Sequence, residues 1–159
     1  MKSKKLKIFV IGDTHDSPHI PDKSRFGWFA KHISKTKPDA IVHIGDFVTL
    51  DSCTHYIKDD TYTARIEKPY FTQEIRSLEG ALEEFDYWHK YKKIPKYITF
   101  GNHERRLWRY EDKNPSFYGL GQKELLGSFE KYKWKVIPYG TYLMLGGVGF
   151  IHAPLNPMG

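Results

Sequence analysis

The stretch Ile8-Phe9-Val10-Ile11-Gly12-Asp13-Thr14-His15 sets four β-branched or aromatic residues directly before a glycine and three polar side chains. A short unbroken apolar run reads as a strand buried on both faces, the kind that parallel sheets use. The strand expected here spans residues 5–11. The same grammar recurs along the chain. Residues 40–44 form a second run that leads to Gly45-Asp46, residues 96–100 lead to Gly101-Asn102-His103-Glu104, and residues 148–151 lead to His152.

Helical patterns separate these runs. Residues 24–35 carry Phe26, Phe29, Ala30 and Ile33 on one face, and Lys37-Pro38-Asp39 stops them. Residues 70–90 repeat Phe71, Ile75, Leu78, Leu82 and Phe85 at the spacing of a buried helical stripe, up to Pro95. Residues 105–131 are expected to be helical in pieces, broken at Pro115 and around 119–121. Residues 134–151 are β-rich, with 141–145 and 148–151 joined by Gly146-Gly147, a two-residue hairpin signal. Residues 47–68 show no period and are expected as loop with room for a short helix. Strands alternating with helices give an α/β layered domain.

With 159 residues, 40% of them hydrophobic, the chain suits one domain spanning 1–159. Its single cysteine, Cys53, excludes an intramolecular disulfide scaffold. No apolar run approaches the ~20 residues of a membrane-spanning helix, and the mean hydropathy is −0.59. The lysine-led N-terminus lacks the long apolar core and small-residue cleavage site of a secretion signal, so the expected setting is cytoplasmic, away from membranes. Lys and Arg outnumber Asp and Glu by 25 to 19, a net charge of +6. That balance is compatible with polyanions such as nucleic acid, and equally with plain solubility.

Four strands that end on Asp, His or Asn make a pattern with chemical content. In open α/β sheets ligands gather outside the carboxyl ends of the strands, so these side chains would meet in one crevice. The preceding glycines would let the backbone turn and approach closely. Singly, each Gly-Asp is an ordinary turn and each histidine an ordinary structural residue. The ordered set GDxH, GD, GNHE, H is far more specific.

With these motifs the sequence resembles the calcineurin-like metallophosphoesterase superfamily from Leu6 onward. The resemblance implies a layered β-sandwich with helices on its outer faces and a two-metal site at the strand ends. It implies that Asp13 and His15 bind a first ion, that Asp46 bridges, and that Asn102 and His152 bind a second. His103 would be the catalytic acid or leaving-group stabiliser. The implied cofactors are two divalent ions, Mn, Fe, Zn or Co, and the implied substrate is a phosphate ester, attacked by metal-activated water. Two departures stand out. Family members complete the site with GHxH, and no Gly-His pair occurs here; with no closing strand after Ile151, the expectation is the N-terminal portion of a longer fold. The protein serine/threonine phosphatase branch reads GDxVDRG and RGNHE. Here Thr49 stands where that branch has the Asp that orients the catalytic histidine, both arginines are missing, and Asp51 is the nearest substitute.

Arg105 and Arg106 follow the third motif, as candidates to grip a substrate phosphate or as an ordinary solvated helix start. His55, with Tyr56 and Tyr62, lies where substrate-selecting loops often sit. Asp16 and His19 are placed near the entrance. Tyr91-Lys92-Lys93 and Lys131-Tyr132-Lys133-Trp134-Lys135 combine charge and aromatic rings as single-strand binders do, and also as a solvated rim does. His32, His43 and His89 read as structural. Two functions remain open: a metal-dependent phosphoesterase acting on a diester or monoester, nucleic acid included, and a non-catalytic binding module that keeps the fold with an incomplete metal site.

Overall fold

A computed structural model describes residues 5–54 and 68–153. His55, Tyr56 and Tyr62, and the stretch after residue 153, lie outside the described residues. The order of elements is β1 (Ile8–Ile11), α1 (Ser24–Thr36), β2 (Ala40–His43), a 3₁₀ turn at Asp51–Cys53, α2 (Phe71–Trp88) and β3 (Lys96–Thr99). Then come α3 (Asn102–Lys113), a 3₁₀ turn at Pro115–Phe117, α4 (Leu120–Lys131), β4 (Trp134–Ile137), and the pair β5 (Leu143–Leu145) and β6 (Val148–Phe150).

Strands β1 to β4 form one parallel sheet in sequential order. Parallel neighbours joined by right-handed crossovers place their helices on a common face. Accordingly α1 packs on α2 and α2 on α4. Their apolar stripes meet Ile11, Ile41, Ile98 and Trp134 of the sheet in one core. Each large apolar side chain sealed there contributes about 1.5–3 kcal/mol.

The architecture is the expected α/β one, with a parallel sheet flanked by helices. Among the described residues the second β layer is only the antiparallel hairpin β5–β6. Its turn residues Gly146 and Gly147 have φ of 57° and 83°, the doubly positive pattern that a type I′ turn requires. Helix α1 ends at Lys37 in the left-handed region, with Pro38 behind it. The main difference from the sequence reading lies at 102–104. These residues open α3 rather than preceding a helix that starts at 105.

The aperiodic segment after β2 is anchored rather than loose. Phe47, Val48 and Leu50 are buried, and the Phe47 ring stacks on Phe26 at 5.1 Å and meets Phe129 edge-on at 5.5 Å. Trp134 is also buried, so Lys131–Lys135 does not offer it for base stacking. Lys135 instead lies over the Tyr97 ring, and Lys131 faces Glu79. No helix among the described residues is long and apolar enough to cross a membrane.

Candidate active site

The carboxyl ends of β1, β2 and β3 lie side by side, and their loops are stitched together beyond the strands. The Asp46 carbonyl accepts the N–H groups of Thr14 (3.1 Å) and His15 (2.9 Å), and Asp16 pairs with Val48 as one further parallel bridge. His43, read as structural, is the pin of this stitching. Its Nδ1 accepts the Gly45 N–H at 3.2 Å, and its Nε2 lies 3.1 Å from the Thr14 hydroxyl. That hydroxyl donates to the Phe47 carbonyl at 3.0 Å, so Nε2 must carry the ring proton. Burial pushes the His43 ring down to about 3, and it stays neutral.

Two of the three motif glycines are demanded by geometry. Gly45 has φ 100°, and a Cβ on it would sit 2.6 Å from the Thr99 carbonyl and 2.8 Å from the His152 ring. A Cβ on Gly101 would fall 2.7 Å from the Asp46 nitrogen. Gly12 has open space around it, so the requirement expected there does not hold. His15 and Asp46 themselves have φ of 45° and 50°, a region costing non-glycine residues on the order of 1 kcal/mol or more, and one found where function fixes the backbone.

Glu104 closes the frame. Its fully buried carboxylate accepts four backbone N–H groups, from Gly101 (2.7 Å), Asp46 (3.0 Å), Phe47 (2.7 Å) and Val48 (3.3 Å). It thereby caps α3 and fixes the Asp46 loop against it. Burial raises its proton affinity, and the N–H groups oppose that rise. Sequence reasoning gave Glu104 no role; the capping-box spacing from Gly101 was the available signal.

Asp13, His15, Asp46, Asn102, His103 and His152 are brought together. Ligand-type atoms of His15, Asp46 and His103 lie within 4.8 Å of one another, as do those of Asp13, Asp46 and His152. Asp46 belongs to both sets. Its Oδ1 accepts the His103 backbone N–H at 2.9 Å, at the first turn of α3, where helix N–H groups lack partners. Its Oδ2 faces His152 Nε2 at 3.4 Å and His103 Nε2 at 3.8 Å. Asp13 touches both histidines that flank it, with Oδ2 3.9 Å from His15 Nε2 and Oδ1 3.8 Å from His152 Nδ1.

The donor chemistry fits a cation. His152 Nδ1 lies 2.8 Å from the Ile44 carbonyl, which can only accept, so Nδ1 carries a hydrogen. Its Nε2 then presents a lone pair to the Asn102 Oδ1 at 3.0 Å and to Asp46 Oδ2. Three acceptors converging in this way call for a metal ion or a proton between them. The buried Asp46 and the partly buried His152 form the floor, while Asp13 and His15, each just over 40% exposed, form the mouth.

His103 has a defined orientation. Nδ1 donates to the Thr49 carbonyl at 2.9 Å, and Nε2 lies 3.2 Å from Arg106 Nη2. The Arg106 Nη1 also donates to the Thr49 carbonyl (2.8 Å) and to Asp51 (3.0 Å). The substitute orienter suggested by spacing, Asp51, thus meets Arg106, and a backbone carbonyl takes the ring. Burial, with Arg106 beside it, depresses the proton affinity of His103, while the Thr49 bond opposes this. Arg105 points elsewhere, its guanidinium 4.7 Å from the Tyr139 ring centre. Asp16 is buried and fully engaged by Lys23, Arg25 and Ser77, so it braces the first loop rather than lining an entrance. A separate cavity of about 710 Å³ lies beside Cys53, Phe71, Leu107 and Tyr110, and none of Asp13, His15, Asp46, Asn102, His103 and His152 lines it.

Matching against family models gives calcineurin-like phosphoesterase over residues 6–155. Comparison with curated proteins gives no match. The family binds divalent metals and acts on phosphate esters, which accords with the two donor sets that share Asp46. Both the motif order and the folded geometry agree with that match, and the chain belongs to the calcineurin-like phosphoesterase family.

Proposed function

We propose that this chain hydrolyses phosphate esters with two divalent cations held by Asp13, His15, Asp46, Asn102 and His152, and with His103 and Arg106 facing the ester. The observation that carries the reading is the Oδ2 of Asp46, turned toward His152 on one side and His103 on the other. Mixed nitrogen and oxygen donors suit Mn, Fe, Zn or Co. When bound, such cations supply Lewis-acid charge and a water acidified toward neutrality.

The chain's own residues do the rest. Asp46 spends Oδ1 on the helix and keeps Oδ2 for the centre, so its position is fixed by the backbone of α3. His103, with Nδ1 committed to Thr49, presents Nε2 as the proton-handling atom at the leaving oxygen. Arg106 sets a guanidinium N–H beside that nitrogen and supplies positive charge where an ester oxygen becomes anionic. A diester, nucleic acid included, is the preferred substrate class because both arginines of the protein-phosphatase branch are missing, and the net charge of +6 is compatible with such a polyanion.

The test is hydrolysis of bis(p-nitrophenyl) phosphate, p-nitrophenyl phosphate and a labelled oligonucleotide, each with Mn, Fe, Zn or Co. Calorimetry counts Mn ions per chain. Metal-dependent turnover of the diester with two ions bound is expected, and Asp46→Asn should abolish it. Fewer than two ions bound, with no turnover of any substrate, would favour the non-catalytic binding module with an incomplete metal site.

A further inference from the structure

We infer that Glu74, in the first turn of α2, is a positioning residue for His103 and Arg106, acting through the backbone at 49–52. The inference rests on the phosphoesterase reading above and extends it to a residue outside every motif of the sequence.

Glu74 is 2% exposed, on a helix face otherwise made of Ile75, Leu78, Ala81, Leu82 and Phe85. A carboxylate in such a place is stable only when its oxygens are satisfied. Here Oε1 accepts the Asp51 N–H at 2.6 Å and the Thr49 hydroxyl at 3.3 Å. Oε2 accepts the Ser52 N–H at 3.2 Å and the Ser52 hydroxyl. All four donors belong to residues 49–52. That segment has its own strain, since Leu50 sits at φ 48°.

The output of the segment points the other way. The Thr49 carbonyl receives both His103 Nδ1 and Arg106 Nη1, and the Asp51 carboxylate receives Arg106 again. Two buried carboxylates therefore hold the chain in series: Glu104 grips residues 46–48, behind the bridging Asp46, and Glu74 grips 49–52, behind His103. The first is tied to the metal donors and the second to the groups facing the ester. Groups that orient catalytic or liganding side chains from behind typically carry 10–100-fold effects.

The prediction separates the two staples. Glu74→Gln keeps the shape and half the acceptors; it should lower kcat about 10-fold or more, with KM moved less than about threefold and Mn affinity unchanged. Ser52→Ala, which removes one donor with little risk to folding, should lower kcat by a smaller factor in the same pattern. In an Arg106→Met background, Glu74→Gln should cost less than in the wild type, keeping only the part exerted through His103, because coupled residues are not additive. Ring ¹⁵N NMR of His103 supplies a readout without turnover: the protonated Nδ1 of the wild type should lose its hydrogen-bonded signature in Glu74→Gln. Additive losses with an unchanged His103 spectrum would overturn the inference. A wild type lacking metal-dependent hydrolysis would sink the phosphoesterase reading, and the NMR comparison would still decide the role of Glu74.

Discussion

Gly101 and Asp46 are packed so closely that the space a β-carbon would need on the glycine is already taken by the aspartate. A Cβ there would lie 2.9 Å from the Asp46 carboxyl carbon and 2.7 Å from its nitrogen. The ends of β2 and β3 approach to this distance because Glu104 accepts N–H groups from both loops. The donor sets that share Asp46 depend on that approach.

Gly101→Ala should therefore behave as an overpacked site. About 1–3 kcal/mol of stability is expected, with loss of Mn binding, because Asp46 is the group that must move. Gly12→Ala is the matched control, as nothing lies within 4 Å of its added carbon. Urea midpoints and Mn titration of the two variants check this, and equal behaviour would refute the role given to Gly101.

Metal should stabilise the fold through the site at His152. Its Nε2, Asn102 Oδ1 and Asp46 Oδ2 present three acceptors to one point, where a cation would satisfy them. Saturating Mn, at about 100 times its Kd, should stabilise the fold by about 2.7 kcal/mol by mass action. For a domain of this size that raises Tm by several degrees. Asp46→Asn should remove the rise. Melts with and without Mn that coincide in the wild type would refute an assembled site.

The strand ends were legible because each apolar run stops on a ligand-type side chain, after a glycine for β1, β2 and β3, although only β2 is buried along its whole length. Asp13, Asp46, Asn102 and His152 could thus be named before their meeting was seen. The supporting shell was not legible. Glu74 sits among Ile75, Leu78 and Phe85 in a pattern that only predicts a helix, and its partners are backbone groups of a segment with no period. Phe47, Val48 and Leu50 bury without alternation, so residues after β2 read as loop although they lie in the core. The orientation of His103 by the Thr49 carbonyl is invisible to any motif, since every residue has a carbonyl.

Arg105 and Arg106 are adjacent in sequence and opposite in consequence. Arg106 bonds the Thr49 carbonyl, Asp51 and the His103 ring, whereas Arg105 lies over Tyr139. Arg106→Ala should reduce kcat/KM about 10–100-fold, the range for groups that orient a site residue. Arg105→Ala should stay within about threefold, since exposed cation–π contacts are worth only about 0.5–1 kcal/mol. The reverse ranking in diester hydrolysis would place the ester on the Tyr139 side of α3.

Two buried histidines should make the fold acid-sensitive. Burial pushes His43 down to about 3 and His89, beside Lys96 and Lys92, down to about 4, both from 6.5. In each case the folded state refuses a proton that the unfolded chain accepts. Their contribution is therefore intact above pH 6.5 and is lost as the pH falls from 6.5 toward 4 and then 3. Between pH 7 and 4.5 the loss is roughly 2 kcal/mol per ring. Glu104 and Glu74, whose proton affinities are raised, act in the opposite sense, since the folded state then binds protons first. The histidine effect is best isolated as a difference. His89 packs against the Phe85 ring at 5.4 Å, so His89→Leu keeps an apolar contact while removing the titration. Urea unfolding at pH 7 and 4.5 should show the variant losing about 2 kcal/mol less than the wild type over that interval. Identical losses would mean that His89 is not kept neutral by the fold.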